Sequence, residues 1–500
     1  MFEKVLVANR GEIAVRIIRT CREMGIRTVA VYSEADRTAL HVRLADEAYS
    51  IGPPPAADSY LRLDAIIDVA RRCNAAAIHP GYGFLSENPE FAEACRGAGI
   101  VFVGPSPEAM RRLGDKLQGK RTVASRGVPL VPGTTEPIAD EAQLRRQARE
   151  IGYPLLIKAS AGGGGRGIHA VHEDAELLPA LRLAQGEAQT AFGDDRVFLE
   201  RYLERPRHVE VQVLADERGH CIHLGERECS VQRRHQKLIE ESPSPAVGPE
   251  LRQRLGAAAV AAAQAAGYTN AGTVEFLLDQ RGDFYFLEVN TRLQVEHPVT
   301  EWVTGLDLVR EQLRIAAGES LSVRQDQVAA RGAAIECRIT AEDPEQQFLP
   351  FTGTVQRFVP PGGPGVRFDH MLFPGLEVTR YYDSLLGKLV VWHQDRARAV
   401  QRMERALEEL TIDGLSTTIP FHRWAMAHPA FQAGELHTGF VDQWWPEHRP
   451  WGGEVELAAI AAIALAQRQA SRPVVAMPVD TYDGGGSRWR RAGRGGLARG

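Results

Sequence analysis

The first hundred residues alternate two patterns of apolar positions. Lys4–Ala8 and Thr28–Tyr32 are short apolar runs with strand character. Between them Ile13, Ile17, Ile18 and Cys21 recur at helical spacing within Gly11–Met24. The alternation continues through a helix at Leu61–Arg72, a strand at Ala75–His79, a helix around Pro89–Arg96 and a strand at Ile100–Gly104. Such alternation predicts a parallel sheet covered by helices, a Rossmann-like layer within an α/β (α+β multidomain) chain. After the first strand the chain reads Asn9-Arg10-Gly11-Glu12, not G-x-G-x-x-G, which argues against a dinucleotide site.

Further along, the pattern changes. Residues 116–317 hold several strand-like runs and a glycine loop. Residues 329–445 read as a mixed β region, with strands at Ala333–Ile339, Thr354–Phe358 and Leu385–Trp392 and a charged helix at Arg396–Leu410. Residues 452–500 differ again. Glu454–Ala470 predicts an alanine-rich helix, and Ser487–Gly500, with five arginines and no acid, predicts a mobile basic end. No internal repeat is visible.

Composition narrows the possibilities. A chain of 500 residues exceeds one hydrophobic core, so two to four domains are expected. A net charge of -5 argues against a general nucleic-acid binder. The six cysteines are scattered, with no C-x-x-C pair, which predicts reduced thiols in a cytoplasmic protein. The apolar tract Leu457–Ala466 is too short to span a bilayer, and with no long apolar region before the strand expected at Lys4–Ala8, no targeting segment is expected.

Candidate chemistry concentrates in Phe284–His297. Glu288, Asn290, Arg292, Gln294 and Glu296 occupy every second position, so a continuous strand would put all five on one face. Together they offer oxygen ligands for a hard cation, a fixed positive charge and a possible base, suited to a metal-bound nucleotide beside a small anion. The bland alternative is a solvated polar strand face. A hairpin across Asp279–Asp283 would bring Glu275 opposite Glu288, and facing acids are better explained by a cation than by exposure. Asn290 would be a third ligand.

Other segments suit the same chemistry. Ile157–Gly167 is a strand end followed by four consecutive glycines, whose N–H groups can approach phosphate, with Lys158 at its edge. It is not a Walker A loop, since no Gly-Lys-[Ser/Thr] follows. Glu226–Glu241, containing Gln232, His235 and Lys237, fits a nucleotide beside a second anion or, equally, a charged loop. His79–Asn88 follows an apolar strand and reads either as a ligand loop or as plain turn chemistry. Arg338 sits within an apolar strand and needs an anionic partner, catalytic or structural.

Six motifs in unbroken order resemble biotin carboxylase, the ATP-grasp component of biotin-dependent carboxylases. They are Ala8–Ala14, His79–Asn88, Lys158–Gly167, Gln232–Lys237, Glu288–Glu301 and Glu336–Pro344, and the resemblance covers roughly residues 1–445. It implies an N-terminal domain at 1–115, an ATP-grasp domain at 116–317 with a lid at about 130–205, and a C-terminal domain at 329–445. It further implies that ATP converts bicarbonate to carboxyphosphate, whose CO₂ is captured by biotin. Lys116 and Lys158 then contact phosphates under the loop containing Gly164 and Gly165. Glu200, Arg201, Tyr202 and Leu203 form the adenine hinge, with His208, Gln232, His235 and Leu277 also at nucleotide positions. Arg201 stands where many members have lysine.

By the same resemblance Glu275, Glu288 and Asn290 hold two Mg²⁺ or Mn²⁺ ions. Lys237, Arg292, Gln294 and the Val295 backbone hold bicarbonate, and Glu296 is the base. Arg338 stabilises the biotin enolate, and Tyr82 borders the biotin pocket. None of the seven methionines precedes a lysine, so biotin is expected on a separate carrier protein, not attached to this chain. The expected partners are that carrier, a carboxyltransferase and a second copy in a homodimer, with neither nucleic acid nor membrane. Gly414–His422 and Ser487–Gly493 resemble the α-subunits of acyl-CoA carboxylases. A non-catalytic scaffold would need a broken catalytic position, and none is broken. Another ATP-grasp ligase would not need the Arg292–Glu296 run or the Arg338 motif.

Overall fold

The computed structural model describes residues 1–160 and 167–447. Gly164, Gly165, the expected helix Glu454–Ala470 and the basic end lie outside the described residues. Residues 1–446 form one unit. The apolar runs near the N-terminus become fully buried strands, with Val5, Leu6 and Val7 at 0% exposure. Lys4–Val7 (β1), Arg27–Ser33 (β2), Glu47–Gly52 (β3), Ala77–His79 (β4) and Val101–Phe102 (β5) pair in parallel in the order β3-β2-β1-β4-β5. The helix Gly11–Glu23 lays Ile13, Ile17, Ile18 and Cys21 on one side of this sheet. β3 had no sequence signal, because its outward residues are polar or small and only Ile51 is fully buried.

A small antiparallel sheet follows. Leu155–Ala159 (β6), Ile168–Val171 (β7) and Val197–Arg201 (β8) pair in the order β7-β6-β8. Leu155, Ile157, Val171, Val197 and Leu199 form its apolar core with helices Glu141–Ile151 and Leu177–Phe192. Gly133 runs directly beside β8. A Cβ there would stand 2.3 Å from the Leu199 carbonyl oxygen, so only glycine allows the approach.

The largest sheet has eight strands. Arg207–Ala215 (β9), Cys221–Arg233 (β10), Gln236–Ser242 (β11), Asn270–Leu278 (β12), Phe284–Asn290 (β13) and Ala333–Thr340 (β14) are joined by the strands Leu385–His393 and Val366–His370. Their order is β13-β12-β9-β10-β11-β14, then Leu385–His393, then Val366–His370. One face packs Val209, Val211, Val213, Val274 and Phe276 against the helix Pro249–Ala266. The alternate residues His208, Glu210, Gln212 and Glu275 are buried on the opposite face.

Two expectations need correction. The strand expected at Thr354–Phe358 is two short strands, Gly353–Thr354 and Arg357–Val359, which pair with different partners. The strand starting at Phe284 ends at Asn290, and residues 291–296 turn into the helix His297–Thr304. Strand alternation therefore accounts for Glu288 and Asn290 alone.

Candidate active site

The hairpin β12–β13 is in the expected register, with Glu275 opposite Glu288 and Thr273 opposite Asn290. Glu275 is buried, whereas the Glu288 side chain is 33% exposed. Asn290 Nδ2 donates to Glu275 Oε1 at 2.9 Å, and Lys116 Nζ lies 3.7 Å from Glu288. The Glu275 and Glu288 carboxylates are hard oxygen donors opposite each other on adjacent strands, a chemistry that fits a divalent cation. The Asn290 amide turns its nitrogen to Glu275 and its oxygen to Arg292 and would have to rotate to join them. His208 Nε2 stands 3.0 Å from Glu275 Oε2. Burial would push the Glu275 carboxyl up, but Lys237 and His208 outweigh it and hold it below the usual carboxylate range. Burial pulls the His208 imidazole down, and Glu275 more than reverses that.

Lys237, on β11, is the centre of the ionic cluster. Its Nζ donates to Glu210 at 2.5 Å, Glu275 at 2.8 Å and Glu296 at 2.6 Å. Arg227 lies fully buried beneath it, donating to Glu210 (2.5 Å), Gln212 (2.8 Å), Thr273 (3.0 Å) and Thr300 (3.0 Å). Glu296 precedes the first residue of the helix His297–Thr304. One of its carboxylate oxygens accepts from Lys237, and the other accepts from Arg338 Nη2 at 3.0 Å. Burial would raise the Glu296 carboxyl. Lys237, Arg338 and Arg227 overcome this and keep it well below its usual range.

Arg338 has a second acid. Its Nε donates to Glu240 at 2.6 Å. The Glu240 carboxyl is pushed up to about 7, chiefly by burial and against the pull of Arg338. Arg292 fixes the turn after β13. It donates to Glu87 at 2.7 Å, to Gln294 Oε1 at 3.1 Å and to Asn290 Oδ1 at 3.3 Å. The Thr291 N–H also donates to Glu87, at 3.0 Å. Glu87 belongs to the loop after β4, so a loop of the first sheet pins the turn that follows β13.

A second cluster lies on the small sheet. Glu200 Oε2 accepts from Lys158 at 2.9 Å, and Oε1 accepts from Lys120. Burial disfavours the Glu200 charge, yet the two lysines bring its carboxyl down to about 2. Arg201 and Tyr202 follow at the exposed end of β8, with Leu203 half-buried. His235 occupies the tight turn of the β10–β11 hairpin at φ +64°, and Gln232 pairs with Lys237 across it. Leu277 lies opposite His208 on neighbouring strands. Tyr82 is half-buried between Gly81 and Gly83, both at positive φ.

Hydrogen bonds and ion pairs thus connect His208, Lys237, Glu275, Asn290, Arg292, Gln294, Glu296 and Arg338. Glu210, Arg227, Glu240, Glu87 and Lys120 escaped sequence reasoning. One signal for Glu210 was available. It interrupts the apolar run Val209-Glu210-Val211-Gln212-Val213 at a strand's inward period.

Three families match in order along the chain. They are "Biotin carboxylase, N-terminal domain" at residues 1–110, "Carbamoyl-phosphate synthase L chain, ATP binding domain" at 115–324 and "Biotin carboxylase C-terminal domain" at 336–443. The chain is 57% identical over 442 residues to a biotin carboxylase of Nostoc sp., covering 88% of this chain and 99% of that one. It is 53% identical over 443 residues to biotin carboxylase 1 of Bacillus subtilis, covering 88% and 98%. A crystal structure of the biotin carboxylase domain dimer of Hydrogenobacter thermophilus 2-oxoglutarate carboxylase, with MgADP, ADP and bicarbonate, superposes at a TM-score of 0.86. Its identity is 50%, and the match covers 89% of this chain and 98% of that one. On this identity and coverage, the chain belongs to the biotin carboxylase family.

Proposed function

We propose that the chain carboxylates biotin with bicarbonate at the expense of ATP, the first half-reaction of a biotin-dependent carboxylase. The observation that carries this reading is the Glu296 carboxylate shared between Lys237 and Arg338. Lys237, Arg292, Gln294 and the Val295 backbone bind bicarbonate. As the anion draws on the charges of Lys237 and Arg292, Glu296 loses counter-charge and its affinity for a proton rises, which suits a general base. Arg338 keeps its charge at every pH of interest and is oriented by Glu240, so it can stabilise negative charge developing on the biotin ureido oxygen.

Glu275, Glu288 and Asn290 would hold Mg²⁺ or Mn²⁺, in two sites, and the metal would neutralise phosphate charge. Lys116 and Lys158 would bind the phosphates, with Gly164 and Gly165 over them. Glu200, Arg201, Tyr202, Leu203, His208, Gln232, His235 and Leu277 would surround the nucleoside, and Tyr82 would border biotin. In this reading the N-terminal, ATP-grasp and C-terminal domains span 1–115, 116–317 and 329–445. Biotin arrives on a carrier protein, a carboxyltransferase passes the carboxyl group on, and the chain pairs with a second copy. The free cysteines suit a reducing cytoplasm. An acyl-CoA is the proposed final acceptor.

The test is ATP hydrolysis by the purified chain with Mg²⁺, with and without bicarbonate, then with free biotin. Hydrolysis that requires bicarbonate and rises with biotin is expected. Hydrolysis indifferent to both would overturn the reading in favour of another ATP-grasp ligase.

A further inference from the structure

Behind the anion-side turn lies a lysine that the chemistry above does not use. Lys388 is fully buried on the strand Leu385–His393, in register with Arg338 on one neighbour and Asp369 on the other. Its Nζ donates to the Val295 carbonyl at 2.9 Å. It also lies 3.3 Å from Glu12 Oε2, on the helix Gly11–Glu23, and 5.7 Å from the Tyr82 ring centroid. One residue earlier in the turn, the Gln294 carbonyl accepts from His297 Nδ1 at 2.8 Å. Two consecutive carbonyls of the turn are therefore drawn to buried donors.

This arrangement is more specific than charge neutralisation. Among the described residues the buried Glu12 carboxylate accepts no well-aligned hydrogen bond at either oxygen, although Lys388 Nζ lies within ion-pair range. One of the ammonium's three N–H donors is placed on the Val295 carbonyl, at a shorter distance than the carboxylate. A carbonyl turned into an anion pocket would repel the anion, and a charged donor holding it elsewhere is a strong constraint.

We propose that Lys388 is a positioning residue of the bicarbonate pocket. By holding the Val295 carbonyl it fixes the peptide between Val295 and Glu296, and with it the aim of the Glu296 carboxylate. This rests on the bicarbonate reading above and adds a residue on a different strand that acts through the backbone of the turn.

Steady-state ATP hydrolysis by the full chain, with bicarbonate varied at saturating ATP, tests it. Lys388→Met should raise the bicarbonate KM about tenfold or more, the scale of a lost charged hydrogen bond, while the ATP KM stays within about twofold. Glu12→Gln, which leaves the Val295 contact in place, should keep both constants within about twofold. The double variant Lys388→Met/Glu12→Gln removes both members of this ion pair. Burial already holds the neighbouring Glu336 carboxyl well above the usual carboxylate range, so it stays neutral, and the variant should fold with the raised bicarbonate KM. An unchanged bicarbonate KM in a folded Lys388 variant would overturn the proposal. So would equal rises in both KM values, or failure of the double variant to fold. A wild-type chain whose ATPase ignores bicarbonate would sink the parent reading instead.

Discussion

The strand Arg207–Ala215 has two faces that are buried by opposite means. Toward the helix Pro249–Ala266 it presents Val209, Val211 and Val213, which gain stability simply by leaving water. Toward the site it presents His208, Glu210 and Gln212, equally shielded, each satisfied by a partner from another strand. The small sheet repeats the contrast. In β8, Val197 and Leu199 face an apolar core, while Phe198 and Glu200 face Lys120 and Lys158. Apolar burial is tolerant of which neighbour supplies the contact. Ionic burial is not, because each charge left alone carries its full desolvation cost. The polar faces are kept for what they can do chemically, at some expense in stability.

Substitutions on the two faces should separate these roles. Glu296→Ala should lower bicarbonate-dependent ATP turnover by about 10²–10⁴-fold, the usual worth of a general base, with nucleotide binding intact. Lys237 and Arg338 retain other acids there, so the fold should survive. Near-normal turnover would remove Glu296 from the chemistry. On the apolar face, Phe276→Ala should cost about 3–5 kcal/mol in urea unfolding, because the ring is fully buried edge-on to Phe284 and Phe286. The surviving folded fraction should keep its bicarbonate dependence. Arg338→Ala should depress biotin carboxylation by about 10²–10³-fold and ATP cleavage by less. Equal losses in the two assays would contradict an enolate-stabilising role.

The small sheet gives a test by pH. The Glu200 carboxyl is depressed from 4.5 to about 2, so its contribution is fully present above about pH 4.5 and is lost as pH falls toward 2. A shift of this size corresponds to about 3 kcal/mol. Glu200→Gln should therefore be less stable at neutral pH and show a flatter stability profile between pH 4.5 and 2, read from unfolding midpoints. The smallest effect is expected one residue later. Arg201 is exposed, so Arg201→Lys should change stability by no more than about 0.5 kcal/mol and leave the ATP KM near wild type.

Much of this was legible in the sequence where the signal is local. The period of Ile13, Ile17 and Ile18 located the first helix, and the loop Asp279–Asp283 correctly predicted Glu275 opposite Glu288. The error at residues 291–296 has a simple origin. Alternating polar residues suit a strand, but Glu296 instead opens a helix, and Arg292 is anchored by Glu87 some two hundred positions earlier. Partners such as Glu240 for Arg338, or Lys120 for Glu200, are set by which strands and helices become neighbours, and no local period encodes that. The strand Val366–His370 was missed for a related reason: it is an edge strand whose charged Arg367 and Asp369 pair with each other.

The double grip on Glu296 has a consequence for the order of events. A single carboxylate is the common counter-ion of Lys237 and Arg338, which sit on different strands and contact it through different oxygens. Whatever protonates that carboxylate removes, in one stroke, one counter-charge from each of the two cations. In the proposed reaction the cation toward bicarbonate and the cation toward biotin would thus feel the same proton, while Lys237 keeps Glu210 and Glu275 and Arg338 keeps Glu240.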